Sequence, residues 1–274
     1  MNLQFDKISK AVKENGFYLI ENYLSDDDLV KVKKTLNVKN EKEDKVSKLK
    51  FKNKDFLKDL LNFNFENIKK KIHLKKLNRK YKLDNMASQV LGDNITYTAD
   101  FYLSKISNKM VIPWHTDQAY GGRKDVTRSE INKNNYLDPE RAALKFFFYL
   151  TDVDSENGCL AYIPQSNMIS YHLKNLIYKN KIDYSPFWHL SDYRNLIQKK
   201  EIRNQLEEFI EKKVIDQFCS NTSFINEKEG DTKVFDLPCK AGSLLIFSEL
   251  GVHRGSAVTK QDRIALRYFY KKNN

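Results

Sequence analysis

A nearly continuous apolar run at residues 144–150 constrains the fold of this chain more than any other feature. It reads Leu-Lys-Phe-Phe-Phe-Tyr-Leu, with three consecutive phenylalanines. Short apolar runs rich in aromatic residues are typical of buried strands. The run therefore predicts a strand at the centre of a sheet.

Other strand-like segments lie in the same part of the chain and are bounded by turn residues. Residues 97–106 alternate in polarity and are rich in aromatic side chains, as expected of a strand. Residues 159–163 begin after an Asn-Gly turn and end at Pro164. Further strands are predicted at residues 110–114, 234–237, 243–247 and 263–270.

Helical patterns occupy the first third of the chain and one insertion. Ser25 precedes three aspartates, which predicts the capped N-terminus of a helix. Residues 55–90 are predicted to be largely helical, and residues 190–213 within the long insertion 168–229 have the same periodicity. The apolar stripe of the first of these segments consists of Phe56, Leu57, Leu60 and Leu61.

The order of these elements predicts a single domain over residues 1–274, mainly β with flanking helices. Residues 1–90 form the helical flank, and the insertion at residues 168–229 is a candidate lid. The β-rich core is assigned to residues 97–167 and 233–272.

The composition is that of a globular protein, since 41% of the 274 residues are hydrophobic. No stretch approaches the roughly 20 apolar residues that a membrane-spanning helix needs. The N-terminal residues lack the apolar run of a secretory signal, and the three cysteines have no metal-ligand spacing. We therefore expect a cytoplasmic protein with reduced thiols.

The formal net charge of +12 comes from one segment of the chain. Residues 31–82 contain 19 Lys and Arg residues against 6 Asp and Glu residues, a surplus of 13. Such a segment is either a basic face for an anionic partner or a solvated, lysine-rich helical region. Arginines and interleaved aromatic residues are scarce there, which favours the solvated region, so we do not expect a nucleic-acid partner.

The residues that carry chemistry begin with a Trp-His-Thr-Asp sequence that ends at Asp117. Residues i and i+2 of an extended segment point to the same face, so His115 and Asp117 can reach a common point. A third ligand is expected from elsewhere, and His253 lies in a polar, glycine-containing turn after a predicted strand. Two histidines and one carboxylate form the facial triad of non-haem iron(II) oxygenases.

Arg263 follows at the start of the last predicted strand. A molecule of 2-oxoglutarate chelates iron through its keto acid, and its far carboxylate then needs a partner. The planar fork of an arginine matches a carboxylate with two hydrogen bonds. Arg263 is therefore the candidate for this contact, and Arg267 on the same strand face is the weaker alternative.

None of these residues is decisive alone. A His-x-Asp pair occurs by chance in many chains; His115 fits a hydrogen-bonded strand end, Asp117 a turn cap and His253 a loop. The order of strands, turns and ligands along the chain is what favours a metal site. The alternatives are a cupin-like metalloenzyme that does not use 2-oxoglutarate, a silent sugar- or anion-binding jelly roll, and a polyanion-binding protein that uses residues 31–82.

The chain resembles the phytanoyl-CoA dioxygenase family of 2-oxoglutarate oxygenases. The family's landmarks occur in order along the chain, starting with an Asn-Gly-Phe-Tyr-Leu-Ile opening. The matching stretches are residues 15–20 and 24–25, Trp114–Gln118, Leu150–Leu160, Ile163–Asn167, Ala241–Phe247, His253–Ser256 and Arg263–Tyr268.

The resemblance implies a double-stranded β-helix, that is, a jelly-roll or cupin-like core, flanked by helices. It implies that the three ligands named above hold Fe(II) and that Arg263 holds 2-oxoglutarate. Ser256 and Tyr102 are the candidates for an assisting contact. The implied reaction uses O₂ and 2-oxoglutarate to hydroxylate an unactivated C–H bond of a small-molecule substrate, with release of succinate and CO₂.

Two departures from the family pattern bear on the site. The family usually reads Pro-Gly-Ser-His where this chain has Pro-Gln-Ser-Asn at residues 164–167. The insertion is long, and its Tyr184, Phe187 and Trp188 fit either a lid over the substrate or ordinary packing. Asp117 is present where related halogenases have a small residue, so we expect hydroxylation. The lysine cluster allows an anionic substrate; neither substrate identity nor oligomeric state follows from the sequence.

Overall fold

The computed structural model describes residues 2–36, 49–107, 112–117, 129, 143–185, 187–226 and 233–272. Within these ranges the chain forms two antiparallel sheets and nine helices. The strands are β1 (Phe17–Ile20), β2 (Leu49–Lys50), β3 (Ile95–Ser104), β4 (Ile112–His115), β5 (Ala143–Tyr149), β6 (Leu160–Tyr162), β7 (Asp236–Leu237), β8 (Leu244–Ser248), β9 (His253–Gly255) and β10 (Arg263–Lys272). The helices are α1 (Asn2–Asn15), α2 (Asp26–Thr35), α3 (Asn53–Leu61), α4 (Phe65–Lys80), α5 (Leu83–Leu91), α6 (Ser166–Tyr178), α7 (Leu190–Ile197), α8 (Lys200–Glu207) and α9 (Lys212–Ser223).

The larger sheet has the strand order β1-β8-β5-β10-β3-β2, and β5 lies inside it. Phe146 of β5 is opposite Ile246 of β8, and Phe147 is opposite Arg267 of β10. Every side chain of β5 is buried except that of Lys145, which is partly buried. The apolar run is thus a central strand, as its composition predicts, and both of its faces are covered.

The smaller sheet has the order β4-β9-β6-β7 and packs against the inner face of the larger one. Tyr162 of β6 lies between the sheets, with its ring centroid 6.1 Å from that of Phe247 on β8. Its hydroxyl donates to the carbonyl of Ser248 at 3.1 Å. The layer between the sheets consists of Phe147, Tyr149, Val153, Cys159, Leu160, Tyr162, Cys239, Leu245, Phe247 and Ala265.

Helices cover the outer face of the larger sheet. Side chains of α1, α4 and α5 pack with Leu144, Phe146 and Phe148 of β5 in one buried cluster. The insertion has a core of its own, in which α6 to α9 enclose Phe187 and contact Trp114 of β4. No described helix is long and apolar enough to cross a membrane.

Helix α3 differs from the others, because none of its side chains is buried. Of the predicted apolar stripe, Leu57, Leu60 and Leu61 are exposed and Phe56 is partly buried. The periodicity of the stripe predicts the helix correctly but does not indicate what covers it.

The predicted arrangement of antiparallel sheets flanked by helices is confirmed. The described helices contain more residues than the described strands, so the architecture is mixed rather than mainly β, because the insertion folds as helices around a separate core. Ser25 caps α2 as predicted, and its hydroxyl accepts from the amide of Asp28 at 3.3 Å. Residues 110 and 111 of a predicted strand lie outside the described residues.

Candidate metal centre

Two histidines meet where β4 pairs with β9. The register places His115, the last residue of β4, directly opposite His253, the first residue of β9. Directly opposed residues present their side chains on the same face of a sheet, and the two ring centroids are 4.6 Å apart. Strand pairing therefore brings together two histidines that are far apart in the sequence.

Asp117 lies beside both imidazoles. Its Oδ1 is 3.4 Å from His115 Nε2, and its Oδ2 is 3.1 Å from His253 Nε2. One potential ligand atom from each of the three residues lies within 4.8 Å of the other two. Among the residues that the structure describes, no other group of His, Cys, Asp or Glu converges in this way.

Both histidines are oriented by the same kind of backbone contact. Nδ1 of His115 is 2.7 Å from the carbonyl oxygen of Pro113, and Nδ1 of His253 is 2.9 Å from that of Gly251. A carbonyl oxygen can only accept, so each Nδ1 carries the hydrogen and each Nε2 keeps its lone pair. Burial lowers the pKa of His253 against the opposing effect of the Asp117 carboxylate, which favours the neutral ring.

The segments that carry these side chains are fixed by close packing. A Cβ atom on Gly251 would lie 1.8 Å from the hydroxyl oxygen of Tyr162, so the approach requires glycine. The Tyr162 ring stacks on His253 with 6.1 Å between centroids and 10° between planes. The hydroxyl of Thr116 donates to the carbonyl of Leu250 at 2.8 Å. These contacts tie the end of β4 to the loop that precedes β9.

Lys145 reaches the same place from the middle of β5. Its ammonium contacts Asp117 Oδ2 and lies 3.8 Å from Oε1 of Glu249. Burial alone raises the pKa of Asp117, but the charge of Lys145, the largest opposing cause, holds this pKa far below its usual range. The carboxylate is therefore ionised at neutral pH. The sequence analysis missed Lys145, although a single cation within an apolar run was a usable signal.

Arg263 at the start of β10 is 4% exposed. Its Nη1 donates to the carbonyl of Gly158 at 2.9 Å, while its Nε–H has no hydrogen-bond partner among the described residues. A Cβ atom on Gly158 would lie 2.5 Å from Cδ of Arg263, so the arginine packs directly over this glycine. A buried cation without a counter-ion is costly, and the geometry therefore favours an anionic ligand here.

Two hydroxyl groups near Arg263 also lack partners. Ser104 is the residue directly opposite Arg263 on β3, and its buried Oγ has no hydrogen-bond partner among the described residues. Tyr149 is opposite Ala265, diagonal to Arg263, and its buried hydroxyl has no hydrogen-bond partner there either. Burial raises the pKa of Tyr149, although the Arg263 charge opposes this, so the phenol stays protonated. Neither residue carried a signal in the sequence, since Ser and Tyr are common in strands.

Tyr102, a candidate for an assisting contact, lies beside the two arginines of β10. The Cζ atom of Arg263 is 5.2 Å from the Tyr102 ring centroid, and that of Arg267 is 4.4 Å away. Arg267 makes two hydrogen bonds to the carboxylate of Asp100, at 2.7 and 2.9 Å. The charge of Arg267 is thus already neutralised, whereas Arg263 has no carboxylate partner within the described ranges.

Ser256 and the turn at residues 164–167, which departs from the family pattern, form hydrogen bonds within the protein. The Ser256 hydroxyl faces the carbonyl of Asp154 at 3.3 Å rather than Arg263. In the turn, Ser166 Oγ accepts from the amide of Val252 at 2.8 Å, next to His253. The side-chain amide of Asn167 donates to a carbonyl of α1 at 2.8 Å. The Pro-Gln-Ser-Asn sequence therefore braces the His253 loop.

The insertion contributes one aromatic residue to the centre. The Trp188 ring centroid is 5.5 Å from that of His115, and the Trp188 carbonyl accepts from the amide of Thr116 at 3.0 Å. Phe187 is completely buried in the insertion core, and Tyr184 packs against the same core. Of the three candidate lid residues, Trp188 lies at the centre and the other two serve packing.

A family model and several solved structures match most of this chain. The model described as phytanoyl-CoA dioxygenase matches residues 12–265. No curated protein sequence matches the chain.

Three solved structures illustrate the structural likeness. The non-heme alpha-ketoglutarate-dependent carbocyclase SnoK from nogalamycin biosynthesis is 15% identical, with a TM-score of 0.51 over 97% of this chain and 83% of that one. The epimerase SnoN in complex with Fe³⁺, alpha-ketoglutarate and nogalamycin RO is 12% identical, with a TM-score of 0.50 over 99% of this chain and 85% of that one. HygX from Streptomyces hygroscopicus with nickel and 2-oxoglutarate bound is 11% identical, with a TM-score of 0.52 over 97% and 86%. At these identities the likeness shows a shared fold.

Proposed function

The chain belongs to the phytanoyl-CoA dioxygenase family of iron- and 2-oxoglutarate-dependent enzymes, and from this premise we propose that His115, Asp117 and His253 bind Fe(II). The observation that carries the proposal is the convergence of these three residues, with one potential ligand atom of each within 4.8 Å of the others. Such nitrogen and oxygen donors suit Fe(II), and three ligands leave positions for 2-oxoglutarate and O₂. The donors fit an ion as they stand, because the carboxylate is ionised and both Nε2 lone pairs are available.

We propose that Arg263 binds the far carboxylate of 2-oxoglutarate. Among the residues that the structure describes, its buried guanidinium has no carboxylate counter-ion and its Nε–H has no partner, and charge-assisted hydrogen bonds to a carboxylate satisfy both needs. The hydroxyls of Ser104 and Tyr149 donate to the same carboxylate, and Tyr102 covers the guanidinium. Ser256 is left out of this contact, because its hydroxyl faces Asp154.

The reaction proposed for this chain is hydroxylation of an unactivated C–H bond of a small molecule. Bound iron with 2-oxoglutarate and O₂ supplies the oxidant, and succinate and CO₂ are released. The chain holds the donors on the inner faces of two packed sheets, an arrangement that supports the double-stranded β-helix assignment. Phe247, whose ring centroid is 5.2 Å from that of His253, and Trp188 supply an apolar wall that excludes water.

Charged side chains near the metal triad suit a polar substrate. Lys145 and Glu249 lie next to Asp117, and the Arg267–Asp100 pair lies on the same face of the larger sheet. The SnoN structure contains nogalamycin RO, a small molecule. We therefore propose a polar small-molecule substrate.

The test is a visible spectrum recorded without oxygen after adding iron(II) and 2-oxoglutarate. We expect the weak absorption band of 2-oxoglutarate chelated to iron(II), and its loss in His115→Ala. His172→Ala is the matched control, because His172 lies in the insertion and stacks on Phe209 at 5.6 Å. Iron binding without the band contradicts the role of 2-oxoglutarate and favours the cupin-like alternative. An unchanged band in His115→Ala contradicts the ligand assignment.

The hydroxylation itself is tested by supplying candidate small molecules in air. Succinate release that rises with a substrate, together with a product one oxygen atom heavier, supports the proposal. A product that has only lost hydrogen means that the same centre performs a different oxidation, and one of unchanged mass means that it isomerises the substrate.

A further inference from the structure

The turn between α3 and α4 exposes apolar side chains that no other part of the described chain covers. Leu61 is 69% exposed and Phe63 is 78% exposed. Of the twelve large hydrophobic residues that are exposed among the described residues, five lie within residues 57–65. They are Leu57, Leu60, Leu61, Phe63 and Phe65, and we call them the hairpin tip. Single exposed apolar residues are ordinary, but a contiguous group indicates an interaction site.

Polar contacts, rather than a buried core, fix α3 against α4. The ammonium of Lys71 is 2.6 Å from Asp59 Oδ2 and donates to the carbonyl of Asp55 at 3.1 Å. The same ammonium lies 5.2 Å from the ring centroid of Phe56. Because Lys71 links α4 to α3 in this way, the leucines of α3 are left on the outer side. The apolar surface is thus a built feature of the hairpin.

The backbone at the tip is held in a costly conformation. Phe63 has a φ of 51°, which is the left-handed region that bulky side chains rarely adopt. The next residue, Asn64, caps α4 by accepting from the amide of Asn67 at 3.2 Å. The chain therefore turns sharply and carries Phe63 and Phe65 side by side, with 6.3 Å between ring centroids.

Positive charge surrounds the hairpin tip. Residues 49–82 contain 12 Lys and Arg residues and only three acidic residues. Two of these acids are already paired, Asp59 with Lys71 and Glu66 with Lys70 at 2.8 Å. The exposed lysines next to the tip are Lys54, Lys58 and Lys69.

We propose that the hairpin tip docks on an anionic lipid surface. Apolar side chains that enter the boundary between headgroups and acyl chains, flanked by lysines that meet anionic headgroups, are the combination such a surface recognises. Long lysine side chains reach back to the headgroups while the apolar residues are buried. Nucleic acid suits the tip less well: the two phenylalanines can stack on bases, but the three leucines neither stack on bases nor bind phosphate and would stay exposed to water. A second copy of the chain suits it less well too, because equal positive charges repel.

The experiment is co-sedimentation of the whole protein with vesicles of phosphatidylcholine, with and without phosphatidylserine. We expect binding to the anionic vesicles that weakens as salt rises. The double variant Leu61→Ser, Phe63→Ser should bind at least about tenfold more weakly, because two apolar side chains are lost from the interface. Phe209→Ser is the matched control, since Phe209 is also exposed, at 49%, but lies in the insertion.

Two further readouts keep the test decisive. In Phe63→Trp, anionic vesicles should shift the tryptophan emission to shorter wavelength beyond any shift of the unsubstituted protein. Binding of the double variant equal to that of the unsubstituted protein overturns the proposal, as does salt-sensitive binding to RNA without binding to vesicles. A dimer in light scattering that the double variant converts to a monomer, with no vesicle binding, also overturns it and assigns the tip to a second copy. Unchanged thermal unfolding of the variants verifies that the fold is intact.

Discussion

Two regions of the molecule, the surroundings of Arg263 and the hairpin tip, contain side chains in unfavourable environments of opposite kinds. Around Arg263, the buried Nε of Arg263 and the hydroxyls of Ser104 and Tyr149 have no hydrogen-bond partner in the part of the chain that the structure describes. At the hairpin tip, apolar side chains such as Leu61 and Phe63 are exposed to water. Both arrangements cost free energy in the isolated chain, and both are relieved by a ligand of matching chemistry. In each region, a candidate binding site is therefore indicated by the burial of polar groups or the exposure of apolar groups, rather than by residue type alone.

The two regions also differ in how they are held. Arg263 lies among paired strands and packs so closely over Gly158 that no side chain fits at residue 158. At the hairpin tip, α3 buries no side chain, and the ion pair and hydrogen bond of Lys71 link it to α4. A preorganised interior suits selection of one small molecule, whereas a lightly supported tip suits a partner without fixed shape.

The largest effect is expected from removing the carboxylate of the metal triad. Asp117→Ala should lower iron affinity by at least about a hundredfold, more than the loss of an outer contact to a ligand usually costs. Iron titration without oxygen measures this affinity. Asp93→Ala, at an exposed carboxylate, is the control and should bind iron normally. Comparable iron affinity in both variants would remove Asp117 from the centre.

The two arginines of β10 offer the sharpest comparison. Arg263→Met should weaken 2-oxoglutarate binding by about a hundredfold, since charged hydrogen bonds contribute about 1.5–3 kcal/mol each, while iron binding persists. Arg267→Met should weaken it far less, because Arg267 is committed to Asp100. Equilibrium titration of 2-oxoglutarate with iron present measures both values.

The free energy of unfolding should distinguish the same two variants in the opposite order, with the larger loss in Arg267→Met. Without 2-oxoglutarate, Arg263→Met removes a buried cation that pairs with no carboxylate in the described part of the chain, and it should leave the free energy of unfolding equal or higher. Arg267→Met leaves Asp100, which is 7% exposed, without its partner and should lower it by about 3 kcal/mol. Denaturant unfolding of the two proteins decides, and a reversed order would show that Arg263 is a structural residue.

Smaller effects are expected from the hydroxyls next to Arg263. Ser104→Ala and Tyr149→Phe should each weaken 2-oxoglutarate binding by about three- to tenfold, as expected for one neutral hydrogen bond. Neither should lower stability in the absence of 2-oxoglutarate, because neither hydroxyl has a hydrogen-bond partner among the described residues. A loss of stability without a loss of affinity contradicts the proposed contact.

The smallest effect concerns the backbone of the hairpin tip. Phe63→Asn should raise the free energy of unfolding by about 1 kcal/mol, because asparagine tolerates a positive φ better than phenylalanine. The same variant should bind anionic vesicles more weakly. Phe65→Asn is the control, since residue 65 begins α4 with an ordinary backbone and has no strain to relieve. Thermal unfolding should show a gain for the first variant alone.

Some features of the fold and of the candidate site can be predicted from the sequence, and others cannot. The strand positions, the two-residue spacing of His115 and Asp117, and the place of Arg263 all follow from local pattern and from the family resemblance. Lys145 and Ser104 do not, because their roles depend on which strands become neighbours: β5 and β3 both pair with β10. Likewise, the stripe on α3 predicts a helix, but only tertiary packing determines that this stripe stays exposed.

The orientation of each histidine by a carbonyl two residues earlier has a consequence for altering this enzyme. Pro113 and Gly251 act through main-chain oxygens, so no neighbouring side chain is required to select the tautomer. The contacts that orient the two histidines therefore lie within two short peptide segments. Side chains that surround the centre, such as Trp188, can therefore be substituted to admit other molecules while these backbone contacts are kept.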